Sequence, residues 1–478
     1  MSARSDDLAQ EQYVGKEIKT IRLRLVDRPG SLAQVLAAIG ECGGMLGDIR
    51  KVGVTSYDVT RDVTVYVRDM EHLGEIAERL RRLDDVEVLQ TSDQVVRLHE
   101  GGKIAMRSTV PIDSVTNLRM VYTPGVAQIC RAIEKQPELV RRLTAVGNTV
   151  AIVTNGTAVL GLGAIGVRGA MPVMEGKAAL LMEMVDINAV PILLDSGDAD
   201  EIVSVVERIA QTFGLIQLED ISAPLCFEVE SRLAERLDIP VFHDDQHGTA
   251  CVVLAALIRA LQLTGRRKEA TRIVINGAGA AGLAIARVLT DFGVADVIVA
   301  DRAGAIWRGR TEHMNPYKRA VAESTNREGL RGGLEEIVKG ADVFIGVSVP
   351  NALTKEHVRS MAEKPIVFPL ANPVPEIPVQ DARAAGAAVA ADGKTINNAL
   401  AFPGIFRGAL SARATRVNTE MIHAAAQSLA GQCAEDELVP NFLDRGVHAK
   451  VAVAVCRAAE EAEVARPEPE TGWLHGER

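Results

Sequence analysis

The chain reads as an α/β protein of several domains, and three observations predict it. Apolar residues alternate with period 2 and then recur at i, i+3, i+4, i+7 over residues 18–98. Strand-like apolar runs alternate with helical stretches over 251–413. A glycine turn joins one such strand directly to one such helix. The 478 residues give room for about three domains at roughly 150 residues each. With 47% apolar and 24% charged residues, the chain is near the globular average and can bury a core.

The 53 basic and 63 acidic residues leave a net charge of −10, spread along the chain. That balance argues against nucleic acid and anionic membranes as partners and for a small-molecule ligand. Cys42, Cys130, Cys226, Cys251, Cys433 and Cys456 form no close pair and no CxxC, so each is expected to be a buried, reduced thiol. The N-terminal MSARSDDLAQEQ lacks the pattern of a signal peptide, and no apolar run approaches the ~18 residues of a membrane span. A cytoplasmic location follows, with residues 1–17 read as a disordered tail.

In the block 18–98, Ile21, Leu23 and Leu25 alternate with Arg22 and Arg24 as in a half-buried strand, which DRPG (27–30) breaks. Ser31 is the expected N-cap of a helix carrying Leu32, Val35, Leu36 and Ile39, and Gly43–Gly44 ends it. A strand with Val63, Val65 and Val67, a helix with Leu73, Ile76, Ala77, Leu80 and Leu83, and a strand over Val86–Leu89 complete a ferredoxin-like βαββαβ order. In that order and in DRPGSLAQVLAAIGECGG, the block resembles an ACT regulatory domain. The resemblance implies an amino acid or similar metabolite bound at Asp27, Arg28, Pro29, Gly30 and Ser31, with allosteric consequences. The alternative is a unit for packing or dimerisation alone.

GAGAAG (277–282) follows the strand RIVIN and opens an apolar helix, the context of a Rossmann-type dinucleotide turn. Gly277, Gly279, Ala280, Ala281 and Gly282 let backbone N–H groups approach a pyrophosphate at the helix N-terminus. The next strand ends at Asp301, 19 residues after Gly282, where an acid can accept hydrogen bonds from the adenosine ribose. Its charge favours NAD, and the neighbouring Arg302 leaves NADP open. GLGAIG (161–166) fits the same pattern, but the glycine and Pro172 after it predict no long helix, so it reads as a tight active-site loop.

Glu219–Asp220 and Asp244–Asp245 each follow a short apolar run, which would place both pairs at the carboxyl ends of strands. Carboxylates converging there are compatible when a hard divalent cation compensates them, and all-oxygen ligation selects Mg2+ or Mn2+ over zinc. His243 and His247 have helical spacing but no third nitrogen or sulfur ligand, so both are read as structural. Lys177, at the start of an apolar stretch, can serve as a general base if a nearby cation lowers its pKa. Tyr122, one of five tyrosines, precedes a proline loop; taken alone it reads as a core aromatic.

VYTPGVAQICRAI, GLGAIG with PVMEGKAALL, LEDISAP, IPVFHDDQHGTA, GAGAAG, LANPVPE and NNALAFPGIFRG stand in this order between about residues 106 and 430. In these motifs the chain resembles bacterial-type malic enzymes. The resemblance implies oxidative decarboxylation of L-malate to pyruvate and CO2 with reduction of a nicotinamide cofactor; a homodimer or higher homo-oligomer, with paired ACT-like blocks, is the expected assembly. Carried over by motif, Tyr122 protonates the enol and Lys177 takes the hydroxyl proton. Glu219, Asp220 and Asp245 bind metal, Asp244 is their hydrogen-bonding companion, and Asn372 and Asn398 contact substrate. Residues 99–250 would form the malate- and metal-binding domain, 251–413 the Rossmann domain, and 414–478 C-terminal helices and a tail. Two positions depart from the pattern: Ala158 stands where longer members carry an arginine, and Ala164 where many carry Asp or Asn. A malolactic enzyme that releases lactate, and an inactive ACT-based sensor, are the competing readings.

Overall fold

In the computed structural model, which describes residues 16–159 and 161–469, the chain divides between Ala105 and Met106 into two units. The first contains β1 (Glu17–Val26), the helix Ser31–Glu41, β2 (Met45–Val54), β3 (Asp58–Val67), the helix Met70–Arg81 and β4 (Val86–Asp93). This is the βαββαβ order read from the sequence, folded as an antiparallel sheet in the order β2-β3-β1-β4. Ile21, Leu23 and Leu25 of β1 and Val63, Val65 and Val67 of β3 share one core with Val35, Ile39, Leu73, Ile76 and Leu80 of the helices.

Two details differ from expectation. Glu17 already belongs to β1, so the tail is shorter than 1–17, and residues 1–15 of it lie outside the described residues. Ser31 is the first helical residue rather than the N-cap. Gly30 takes that position with φ of 92°, a left-handed conformation that suits glycine and turns the chain into the helix one residue early.

The second unit carries two sheets. β5 (Thr149–Thr154), β6 (Asn188–Leu193), β7 (Leu215–Leu218) and β8 (Val241–His243) are parallel in the order β6-β5-β7-β8. The chain leaves β5 for β6 on one side and then crosses to β7 on the other, which opens a crevice at their carboxyl ends. β9 (Arg272–Asn276), β10 (Asp296–Asp301), β11 (Gly304–Ala305), β12 (Val343–Gly346), β13 (Ile366–Pro369) and β14 (Val389–Ala390) form the other sheet, ordered β11-β10-β9-β12-β13-β14. All its pairings are parallel except β10 with β11. Its reversal, and hence its crevice, lies between β9 and β12.

One apolar core includes residues of both sheets. The helix Asp244–Thr264 crosses it, packing against the helices Ala280–Asp291 and Thr419–Ala430. The expected domain boundary after residue 250 therefore falls inside a continuous helix. Its stretch Ala250–Leu257 is buried on every side, so the helix belongs to both halves at once. Its length and hydropathy would suffice to cross a membrane, but 61% of its most apolar window is buried in the protein. The helices Phe402–Ser411, Thr419–Ala430 and Arg445–Glu461 fold back together, and Phe402–Ser411 also packs on the helix Gly166–Val185. Of the expected C-terminal tail, residues 470–478 lie outside the described residues.

The glycine loop at 161–166, expected to open no long helix, leads straight into the 20-residue helix Gly166–Val185, with Pro172 inside it. Interior proline costs about 3 kcal/mol, but Met174, Ala178, Leu181 and Val185 bury one face of the helix and offset it. All six cysteines are unpaired. Cys226 and Cys251 are buried as expected, whereas Cys130 is exposed because its helix, Val126–Lys135, buries only Ala132.

Candidate active site

The register of the first parallel sheet sets Leu218 of β7 beside His243 of β8. Glu219–Asp220 and Asp244–Asp245, the next residues of each strand, therefore leave the sheet side by side. One oxygen each from Glu219, Asp220 and Asp245 lies within 4.8 Å of the others. Asp220 holds a left-handed φ of 54°. Such a backbone costs an aspartate roughly 1–3 kcal/mol. Its carbonyl accepts from the N–H groups of Thr157 (3.2 Å) and Ala158 (3.0 Å), and its own N–H donates to Asp245 Oδ2 at 3.1 Å.

Lys177 reaches this cluster from the helix Gly166–Val185. Its ammonium pairs with Glu219 Oε1 at 2.8 Å and with Asp244 Oδ2, and lies 4.9 Å from the ring centre of Phe402. Asn398 Nδ2 donates to Asp244 Oδ2 at 2.9 Å, and Gln217 Nε2 to Glu219 Oε2 at 2.7 Å. Of the residues singled out in the sequence, Lys177, Glu219, Asp220, Asp244, Asp245 and Asn398 thus converge. Gln217, hidden inside a strand, was not among them.

Burial pushes the carboxyls of Glu219 and Asp244 up, and the charge of Lys177 offsets this only in part. Burial alone would pull Lys177 down, but Asp244, Glu219 and Asp245 outweigh it and hold the ammonium above its ordinary range. Lys177 is thus one cation among three carboxylates. The remaining negative charge and the all-oxygen donor set of Glu219, Asp220 and Asp245 fit a hard divalent cation. Asp244 Oδ1, buried without a hydrogen-bond partner, is a further oxygen at this place.

The side chain of His247 and the backbone of His243 serve the scaffold. Glu230, on the helix Leu225–Arg236, accepts hydrogen bonds from the backbone N–H of His243 (2.8 Å) and from Gln246 Nε2 (2.9 Å), and pairs with His247 Nε2 at 2.8 Å. Glu230 therefore clamps the turn that carries Asp244 and Asp245. Burial opposes its ionisation, but His247 and the backbone of His243 hold its pKa below the usual carboxylate range.

At the second crevice, the glycine turn is tightly fitted. Gly277 has φ of 125°, and a Cβ there would lie 2.8 Å from the carbonyl carbon of Val347. A Cβ on Gly282 would collide with the carbonyl of Gly277. The helix Ala280–Asp291 opens on this turn. Asp301 ends β10, but its oxygens are already held. Oδ1 accepts from Arg310 (2.7 Å) and the N–H of Ala303 (2.9 Å), and Oδ2 from Lys318 (2.6 Å). Against the effect of burial, Lys318 and Arg310 keep its pKa below the ordinary value. These two cations lie 9 and 17 residues beyond Asp301, where no motif marks them. Arg302 is exposed.

Gly161, at φ of 72°, lies so close to the carbonyl of Asn372 that no Cβ could fit between them, and the Asn372 amide donates to the carbonyl of Leu370 at 3.4 Å. Tyr122 stands apart. It is 68% exposed, at the end of a helix (Val115–Val121) with no buried residue. Among the described residues no hydrogen bond joins it to the carboxylates. In the first unit, Arg28 pairs with Asp85 at 2.5 Å, the N–H of Asp27 donates to the carbonyl of Tyr57 (2.9 Å), and Pro29 leads into Gly30, whose missing Cβ faces open space. Ser31 Oγ is buried without a partner.

Three family models match the chain: an ACT domain over residues 18–90, the malic enzyme N-terminal domain over 101–234, and the malic enzyme NAD binding domain over 246–460. An NAD-dependent malic enzyme of Geobacillus stearothermophilus is 46% identical over 457 residues, 94% of this chain and 95% of its own. A bifunctional malic/malolactic enzyme of Bacillus subtilis (strain 168) is 48% identical over 386 residues, covering 78% of this chain and 94% of its own. The crystal structure of an NAD-dependent malic enzyme from Thermotoga maritima superposes with a TM-score of 0.74 at 44% identity, over 76% of this chain and 99% of that one.

Because Gly282 has no room for a side chain, Gly282→Ala should displace the turn and weaken NADH binding by about tenfold or more, a cost of at least ~1.4 kcal/mol. Fluorescence titration measures it, and unchanged affinity would place the dinucleotide elsewhere.

Proposed function

The chain belongs to the malic enzyme family and is an NAD(P)-dependent oxidoreductase, and we propose that it converts L-malate to pyruvate and CO2 with the help of a divalent metal. The observation that carries this reading is the meeting of Lys177, Asn398 and four acidic residues at one crevice. When bound, Mg2+ or Mn2+ supplies Lewis-acid polarisation of the substrate oxygens, and the dinucleotide takes the hydride from C2. Glu219, Asp220 and Asp245 would hold the cation. Lys177, in its neutral amine form, would accept the C2 hydroxyl proton, with Asp244 as its hydrogen-bond partner. Asn398 fixes the Asp244 carboxylate, and Asn372 is proposed as a further substrate contact.

NAD is the cofactor proposed, because Arg310 and Lys318 are engaged by Asp301 rather than free for a 2′-phosphate. The six unpaired cysteines support a reducing, cytoplasmic setting.

The enol formed on loss of CO2 needs a proton at C3, and Tyr122 is the acid proposed. Its exposed position leads to a second copy of the chain as the other half of the site. Val110, Ile112, Val115, Leu118, Met120 and Val121, close to it in sequence, are exposed as well, and exposed apolar residues in such number support a protein contact. In a homodimer, Tyr122 of one copy would serve the carboxylate cluster of the other.

The ACT-like unit is proposed to bind an amino acid or similar carboxylate at the turn 27–31. The support is the open space at Gly30 and the unpartnered hydroxyl of Ser31 at a helix N-terminus.

Turnover of malate should require Mn2+ or Mg2+, and Asp245→Ala should abolish it while NADH still binds. Activity in EDTA, lactate in place of pyruvate and NADH, or a preference for NADP in parallel assays would each overturn the corresponding part of the reading. Tyr122→Phe and Lys177→Ala should each be nearly inactive, yet an equimolar mixture refolded together should regain about a quarter of parent activity, since half the dimers then hold one intact site. No recovery would return Tyr122 to its own subunit. For regulation, an amino acid should shift apparent malate affinity roughly 5- to 150-fold in the parent, the range of ~1–3 kcal/mol coupling, and not in Gly30→Val. If no amino acid or central metabolite moves malate saturation in the parent, the unit is not a sensor.

A further inference from the structure

Glu376, in the segment LANPVPE, has a fully buried side chain. A buried carboxylate is costly unless hydrogen bonds replace its lost water, so what satisfies it shows what it holds. Oε1 accepts from the backbone N–H of Ser348 at 2.8 Å and from Ser348 Oγ at 3.2 Å; Oε2 accepts from the backbone N–H of Ala371 at 3.1 Å. Each of these donors is neutral. The carboxylate also explains why β12 ends in glycine: a Cβ on Gly346 would lie 2.6 Å from both oxygens.

The two loops so joined touch different segments. Ser348 Oγ accepts from Asn276 Nδ2 at 2.8 Å, and Asn276 is the residue immediately before the nucleotide turn. The N–H of Val347 donates to the carbonyl of Asn276 at 2.9 Å, and the Val347 carbonyl fills the space beside Gly277. Ala371 directly precedes Asn372, whose carbonyl backs the loop at Gly161. The ends of β9, β12 and β13 thus meet on one carboxylate.

We propose that Glu376 is a positioning residue for the oxidation step, holding the nucleotide-side loop at Ser348 in register with the malate-side loop at Asn372. This rests on the reading of the chain as a malate-oxidising enzyme. Glutamate serves here because both oxygens must accept. A glutamine would turn its NH2 group toward the N–H of either Ser348 or Ala371, donor against donor, and release one loop.

The test compares Glu376→Gln, Glu376→Asp and Gly346→Ala with the parent in malate and NAD kinetics, NADH titration and thermal melting. The parent assay comes first: no malate turnover there would remove the functional reading itself. In Glu376→Gln, kcat/KM for malate should fall about 10- to 100-fold with KM raised, as for a reactant displaced by about 1 Å, while NADH affinity changes less than about threefold. Glu376→Asp, which keeps two acceptors, should recover part of the loss, and Gly346→Ala, which crowds the carboxylate, should reproduce it. A purely structural role would lower the melting temperature and the active fraction and leave KM for malate unchanged. A folded Glu376→Gln with parental KM and kcat overturns the proposal. If that variant does not fold, parental kinetics in both Glu376→Asp and Gly346→Ala overturn it equally.

Discussion

Four carboxylates at the ends of two adjacent strands repel one another, and inside a protein that repulsion is strong because little water screens it. Much of the second unit is arranged to contain this charge. The helix Gly166–Val185 delivers Lys177 between Glu219 and Asp244, and Asn398 and Gln217 each donate to one of these acids. Asp244 and Asp245 begin the helix Asp244–Thr264, where the positive end of the helix dipole favours negative charge. Below them, Phe242, Phe402 and Phe406 pack edge to face or tilted, giving the polar cluster an apolar floor.

The balance remains short by positive charge, and the site's chemistry follows from that deficit. With only its own residues, the cluster keeps Lys177 protonated and pushes two of its acids toward neutrality. A divalent cation held by Glu219, Asp220 and Asp245 would make up that deficit. The residues proposed to hold a metal are therefore the same ones that pair with Lys177.

The elements that position the site were legible where the signal is local. The acidic pairs follow apolar runs, the turn 277–282 sits between strand and helix, and the alternation in 18–98 marks a sheet with helices. Partners that meet across the fold left no such trace. Glu230 looks like any charged residue of an amphipathic helix until it is seen to take three contacts from the turn at 243–247. Arg310, Lys318 and Glu376 meet residues 9, 17 and 28 positions away or less through loops that carry no periodicity. Pro172 misled because its backbone cost was weighed without the buried face that offsets it. Ser31 was displaced as cap because a left-handed glycine precedes it.

The helix Asp244–Thr264 begins in the carboxylate cluster and packs against the helix Ala280–Asp291 that opens on the glycine turn, with its middle buried in the core common to both sheets. The chain is thus not two cassettes joined by a linker. Exchange of the nucleotide-binding half for that of another dehydrogenase, cut where sequence texture changes, would sever this rod. The recipient would inherit acids without the apolar stem that aims them. A workable chimera would have to carry the whole rod together with the helices packed along it, which makes this one segment the unit of inheritance for both cofactor choice and acid geometry.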